Sequence, residues 1–274
     1  MSKHEIINPR EQAYIAIETS AKKINVDYNK NKDSVNQFLS EMRKHRLFSH
    51  PVFRALRDGE FNKKALQELH LDYRLIVKQF TDIILMTQFK TRELSVLSDD
   101  IFMATRFLIT LNIFDELGYW PGENQYLGHP SLSHFRLFDK VISDLEITDV
   151  EKNDFSNSLE AKHLYEYLEN SMQNLNALLV YLIITEEGAM YYSPAMRESA
   201  KQYGVDVSQG YYNVHGDTED ELTEGEDDLH QDDIVRIMQL VINKDNQQDF
   251  LSLSETICNL WADFWDAQYN RINN

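Results

Sequence analysis

Carboxylates and imidazoles occupy helical positions where apolar side chains are expected. In segment 99–117, apolar on nearly every side, Asn112 and Glu116 lie one turn apart and share a face with Thr105 and Ile109. In segment 170–190, Met172, Leu175, Leu179, Leu182 and Ile183 define an apolar stripe. A step of ~100° per residue puts Glu186 near the centre of that stripe and Glu187 at its edge, which favours Glu186. Burying an unpaired carboxylate costs several kcal/mol, so each acid is expected to be paired or to bind a cation. Arg106, in Glu116's own segment, is the plain alternative partner. His129 closes an aromatic, glycine-containing stretch, and Asp227 and His230 share a helix face at i, i+3. Oxygen and imidazole donors from several antiparallel helices, with no thiolate among them, suit a pair of iron or manganese ions in a bundle interior. His45, His50, His70, His134 and His163 read as packing or surface residues, with His134 the spare ligand.

The elements that must position these groups are helical. Amphipathic periodicity predicts helices over 9–26 and 33–47, the second capped by Asp33 or Ser34. His50-Pro51 opens a short helix that Asp58-Gly59 closes, since proline at a first-turn position loses no hydrogen bond. After Asn62 a long apolar stripe runs from Leu66 to Thr87, and a further helix covers Asp99 to Leu117. The aperiodic stretch Gly118 to His129 is expected to be a loop, followed by a helix from Ser131 to Leu145. Helix is expected over 153–192, a break over Tyr203 to Gly210, and helix again from Tyr211 to Met238, interrupted by acidic residues. A last helix over 247–271 carries Trp261, Phe264, Trp265 and Tyr269 on one face, a pattern of core packing. Tyr181, Met190, Tyr191 and Tyr211 are candidates for a pocket lining, although Tyr and Met at helical spacing are more commonly core. The expected fold is a single all-α domain over 1–274, with seven to nine helices.

Composition narrows the function classes. The 274 residues suffice to bury a large core without staples. Only 9 Gly and 5 Pro argue against a β-sandwich or barrel, which needs frequent turns. One cysteine, Cys258, leaves no internal disulfide and no Cys-rich metal motif, which points to a reducing compartment. The opening residues carry neither a secretory nor a transit signal, and no apolar run approaches the ~20 residues that a bilayer requires. A cytoplasmic protein is expected. A net charge of −18 repels phosphate backbones and anionic lipid surfaces, so neither nucleic acid nor membrane is an expected partner. Segment 215–233 holds ten carboxylates and no Lys or Arg, bracketed by His215 and His230. It reads either as a solvated acidic loop or as part of a cation site, but it lacks the spacing of an EF-hand.

Several of these landmarks occur in a familiar order. HPVFRALRDG at 50–59 is followed by NIFDELG at 112–118, HPSLSHF at 129–135, an apolar helix ending TEEGAM, YYNVH at 211–215 and DDLHQDD at 227–233. Over roughly 50–265 this resembles the haem-oxygenase-like di-iron oxidases, relatives of thiaminase II and of the pyrroloquinoline-quinone synthase fold. Residues 1–45 look like an added helical extension. The N-x-x-x-E-x-G piece followed by a histidine is the most specific part. The resemblance implies a haem-oxygenase-like bundle holding two Fe(II) ions, or manganese, with O2 as co-substrate. It implies six ligands: Glu116, His129, Glu186, His215, Asp227 and His230. The late H-x3-D-x2-H cluster departs from the pattern: counting from His215 gives Glu219 and Leu222, and counting back from His230 gives Asp227 but Thr223. An insertion of eight positions between His215 and Asp227 restores all three ligands. Without it the chain would hold one iron, or none as in the cofactor-free relatives.

The expected function is therefore iron-dependent oxidation of a small organic substrate by O2, on an amine, amino acid or fatty acid, by N-oxygenation or oxidative C–C cleavage. Beside the small-molecule substrate, the partner expected of this enzyme is a second copy of the chain in a homodimer. Two other readings stand beside it. One is a metal-independent, thiaminase-like enzyme of the same fold, against which Cys258 lies among core residues and not where a nucleophile would sit. The other is a non-catalytic helical effector whose acidic loop recruits a partner.

Overall fold

Polar caps set where most helices begin. In the computed structural model, which describes residues 8–24, 26–121, 126–215 and 226–273, the side chains of Asn8, Asp27, Asn62, Ser98, Ser158 and Asn174 each accept a hydrogen bond from a first-turn backbone N–H. The helices are α1 (Pro9–Lys23), α2 (Tyr28–Met42), α3 (Pro51–Arg57), α4 (Lys63–Lys90), α5 (Asp99–Glu116) and α6 (His134–Asp144). They continue as α7 (Asp149–Asp154), α8 (Leu159–Ser171), α9 (Leu175–Gln202), α10 (Tyr211–Val214), α11 (Glu226–Val241) and α12 (Gln247–Asn270). The class is all-α, as expected.

The helix count differs, at twelve among the described residues against seven to nine expected. Short α7 and α10 account for part of the excess. The expected continuous helix over 153–192 is broken twice, and α9 runs on through Pro194 to Gln202. Helix α2 starts at Tyr28 under the Asp27 cap and not at Asp33 or Ser34, because Lys30, Lys32 and Asp33 form the exposed side of a helix while Asn31 donates to Gln239 O, and the polar run is not a linker. The stretch after Gly118, expected to be a loop, contains a two-stranded antiparallel hairpin, β1 (Tyr119–Pro121) with β2 (Tyr126–Gly128), in the register Tyr119 opposite Gly128.

Helix α9 is the axis of the molecule. Every residue from Ala177 to Ala189 is buried, because α3, α4, α11 and α12 surround it. An aromatic cluster of Tyr73, Tyr192, Trp261, Phe264 and Trp265 fills the space between α4, α9 and α12, with ring centroids 5.0–6.5 Å apart. This is the core packing expected of the last helix, although Tyr269 is only partly buried. Helix α1 lies along α5, and α2 packs on α11 and α12, so the N-terminal helices touch the elements that carry the polar residues. Among the described residues no helix is long and apolar enough to cross a membrane.

Candidate metal centre

Glu116 ends α5 on the buried face that Thr105, Ile109 and Asn112 also occupy, as its phase predicts. Gly118 follows in the left-handed region at φ 78°, where a Cβ would stand 2.5 Å from the backbone of Leu132. The close approach lets the hairpin fold back, pinned by the bond from His129 N to Gly118 O (3.3 Å), and start α6 beside the end of α5. His134 is the first residue of α6, and its Nδ1 lies 2.9 Å from Glu116 Oε1 and 2.9 Å from His215 Nε2. These three donor atoms lie within 4.8 Å of one another.

His215 caps the C-terminal end of α10, which a buried contact fixes. His70 on α4 donates from Nδ1 to Leu66 O (2.8 Å), so its neutral Nε2 accepts from the Tyr212 hydroxyl (2.6 Å). Burial lowers the His70 pKa to about 4 against an opposing backbone hydrogen bond, which keeps the ring neutral.

A second pair of groups lies on the neighbouring helices. Glu186 is buried on α9 and lines the same cavity as Glu116, His134 and His215. His230, buried on α11, directs Nδ1 to within 3.7 Å of Glu186 Oε1, an ion-pair contact too long for a hydrogen bond. Its Nε2 lies 3.1 Å from Asp115 Oδ2. His230 Nδ1 is thus a buried nitrogen with no hydrogen-bond partner among the described residues. Burial would lower the His230 pKa, but the hydrogen bond to Asp115 and the nearby carboxylates of Glu186 and Glu116 outweigh it and raise it well above the usual histidine value. Burial likewise pushes the Glu116 carboxyl up, yet His134, then His215 and His230, more than offset this and hold it below its ordinary value. Glu116 therefore feels both groups of donors.

The cavity between them measures about 30 Å³ and is otherwise walled by Tyr73, Ile76, Val77 and Phe80 of α4, Thr185, Ala189 and Tyr192 of α9, and Tyr211. It has room for about two water-sized bodies. The donor set is of a kind that can hold a cation, on three counts. Carboxylate and imidazole donors converge without thiolates. One nitrogen, His134 Nδ1, faces two polar atoms although it carries at most one proton. The buried His230 Nδ1 points toward a carboxylate without bonding it, while Asp115 holds the other nitrogen, as partners of metal-bound histidines do.

No family model and no curated protein matches the sequence. Solved structures do match the fold. A TenA homolog from Pseudomonas syringae pv. tomato str. DC3000 is 12% identical with a TM-score of 0.62, covering 87% of this chain and 92% of its own. A CADD-like protein of unknown function from Nostoc punctiforme PCC 73102 is 12% identical with a TM-score of 0.59, covering 88% of this chain and 96% of its own. The fold is shared with TenA-like and CADD-like helical proteins. A putative TenA-like thiaminase from Sulfolobus solfataricus P2, 12% identical with a TM-score of 0.53, covers 89% of this chain and 96% of its own. At this identity the likeness establishes the fold alone.

Of the six residues implied by the sequence resemblance, Glu116, Glu186, His215 and His230 are brought together. His129 is not. It is exposed, and its Nδ1 bonds to Ser131, which corrects the expectation that it joins the cluster. His134 takes that place. The signal was present in the sequence, because His134 lies on the buried face of α6 with Phe138, Val141 and Ile142, at i, i+4, i+7 and i+8. The Asp227 side chain and residues 216–225 of the proposed 216–226 insertion lie outside the described residues, and position 226 begins α11. Glu187 is as buried as Glu186, but Arg43 (2.7 Å) and Gln231 (2.8 Å) hold its carboxylate. Arg106 does not pair with Glu116; its guanidinium stacks over Phe102 at 4.6 Å. Of the tyrosines and Met190 considered for the pocket, Tyr211 lines it, Tyr181 is core, and Tyr191 packs on Phe48.

Proposed function

We propose that the protein is a non-haem di-iron oxidase, with manganese an acceptable substitute, that oxidises a small organic substrate with O2. The observation that carries this reading is the convergence of Glu116, His134, His215 and Glu186 on one cavity, with His230 behind it against Glu186. Glu116, His134 and His215 would hold one ion, and Glu186 and His230, with Asp227, the other. Bound there, two ferrous ions would supply the electrons and the open coordination positions that O2 reduction requires. The chain does the rest. Ile76, Val77 and Phe80 exclude water from one wall, and the hydroxyls of Tyr211 and Thr185 are polar points against which a substrate can be oriented. Amines, amino acids and fatty acids are the substrate classes to screen.

A metal-independent, thiaminase-like hydrolase is the second reading. The likeness to a putative TenA-like thiaminase favours it, as does the presence of two carboxylates, Glu116 and Glu186, in one apolar cavity, where an acid and a base could divide the work. A thiol nucleophile does not fit it, because burial raises the Cys258 pKa to about 12 and the residue packs among core side chains of α12. Anaerobic loading with Fe(II), an iron count per chain, and O2 consumption against the three substrate classes separate the two. About two irons per chain and substrate-dependent O2 uptake support the oxidase. A folded protein that binds no iron sinks it.

A further inference from the structure

The N-terminal helix reaches the metal centre through Arg10. Its Nη2 lies 3.0 Å from Asp115 Oδ2 and 3.2 Å from Asn112 Oδ1 on α5, and its Nε lies 2.9 Å from Asp233 Oδ2 on α11. Tyr14, one turn along α1, donates to the other oxygen of Asp233 at 2.6 Å. Asp233 is fully buried and sits one turn after His230. The same Asp115 oxygen that takes Arg10 also lies 3.1 Å from His230 Nε2. One guanidinium therefore clasps the two helices that carry Glu116 and His230, through residues adjacent to each.

We infer that Arg10 is a positioning residue of the metal centre, acting through Asp115 to fix the His230 ring with Nδ1 turned toward Glu186. This rests on the metal reading proposed above. A half-buried carboxylate between a fixed cation and an imidazole has one orientation that satisfies both, and it selects which ring nitrogen faces Glu186. Arginine suits the task because its planar fork engages three side chains at once, which an ammonium reproduces only in part. Helix α1 thus belongs to the site and is no detachable appendage to it.

The test titrates metal-free protein with Mn(II), following binding by calorimetry and by electron paramagnetic resonance, in the wild type and in Arg10→Met, Arg10→Lys and the isosteric Asp115→Asn. Lys23→Met removes a different cation from the same helix and is the control. The expected result is that Arg10→Met and Asp115→Asn weaken one of two equivalents about 10–100-fold and leave the other alone. Arg10→Lys should recover part of the loss, and Lys23→Met should match wild type. Equal loss of both equivalents together with a lowered melting temperature of the metal-free protein would overturn the inference in favour of a general structural role, as would unchanged binding in Arg10→Met. If wild type binds no Mn(II), the functional proposal fails and a second measurement decides the positioning role. In that case the 15N signals of the His230 ring in metal-free protein should move, Nε2 most, in Arg10→Met and Asp115→Asn. Unmoved signals would overturn the inference.

Discussion

His134 Nδ1 and His215 Nε2 lie 2.9 Å apart, although the residues are 81 positions apart in sequence, one beginning α6 and the other just past the end of α10. The rings meet edge to face, with centroids 4.5 Å apart at 88°. The same Nδ1 is equally close to Glu116 Oε1, so three electron-rich atoms converge where at most a proton or two can mediate. A divalent cation resolves such a cluster by accepting from all three.

His134→Ala should remove at least one equivalent of bound iron, whereas His129→Ala should load as wild type. Metal analysis of the two variants side by side checks this. Loss in His129→Ala alone would return the ligand role to the residue that the motif spacing suggested.

Glu186→Gln and Glu187→Gln should fail differently. The first should impair metal loading with little change in stability. The second breaks the pairing with Arg43 and Gln231, and should cost about 1–3 kcal/mol in urea unfolding while leaving metal stoichiometry intact. Calorimetric titration with Mn(II) and denaturation curves together discriminate the two acids.

Gly118→Ala sets a Cβ against the Leu132 backbone at 2.5 Å and imposes a left-handed conformation on an L-residue, costing roughly 1–2 kcal/mol before any clash is relieved. Relief requires the hairpin and the start of α6 to move, which draws His134 away from Glu116. We expect a lowered melting temperature and weakened metal binding together. Retention of tight binding at reduced stability would show that the glycine serves the turn and not the site.

Buried His70 makes stability depend on pH. Its folded pKa is depressed to about 4, while the unfolded residue titrates near 6.5. Between these values the unfolded chain binds the extra proton, so stability is full above the unfolded pKa and is lost as pH falls through this window. The contribution of this one residue is a loss of about 2 kcal/mol between pH 7 and pH 5. His70→Gln should be less stable than wild type at pH 7 but show a flatter decline, which urea unfolding at the two pH values measures.

The sequence by itself determined the helical class, the long helices α4, α5 and α12, and the burial of Glu116 and Glu186, because amphipathic phase and polar caps are local signals written within a few turns. The resemblance also grouped Glu116, Glu186, His215 and His230, which the structure places near one another. What only the tertiary structure decided was which neighbour each buried group meets. Glu186 and Glu187 are equally buried because α9 is surrounded on every side, so helical phase alone does not distinguish their roles; the partner helices α2 and α11 separate them by engaging Glu187. His134 displaces His129 because the hairpin returns over Gly118, a three-dimensional closure that no count of intervening residues reveals. Arg10 reaches α5 and α11 from more than a hundred residues away, and contacts of that kind are fixed by how the helices pack, not by any periodicity within them.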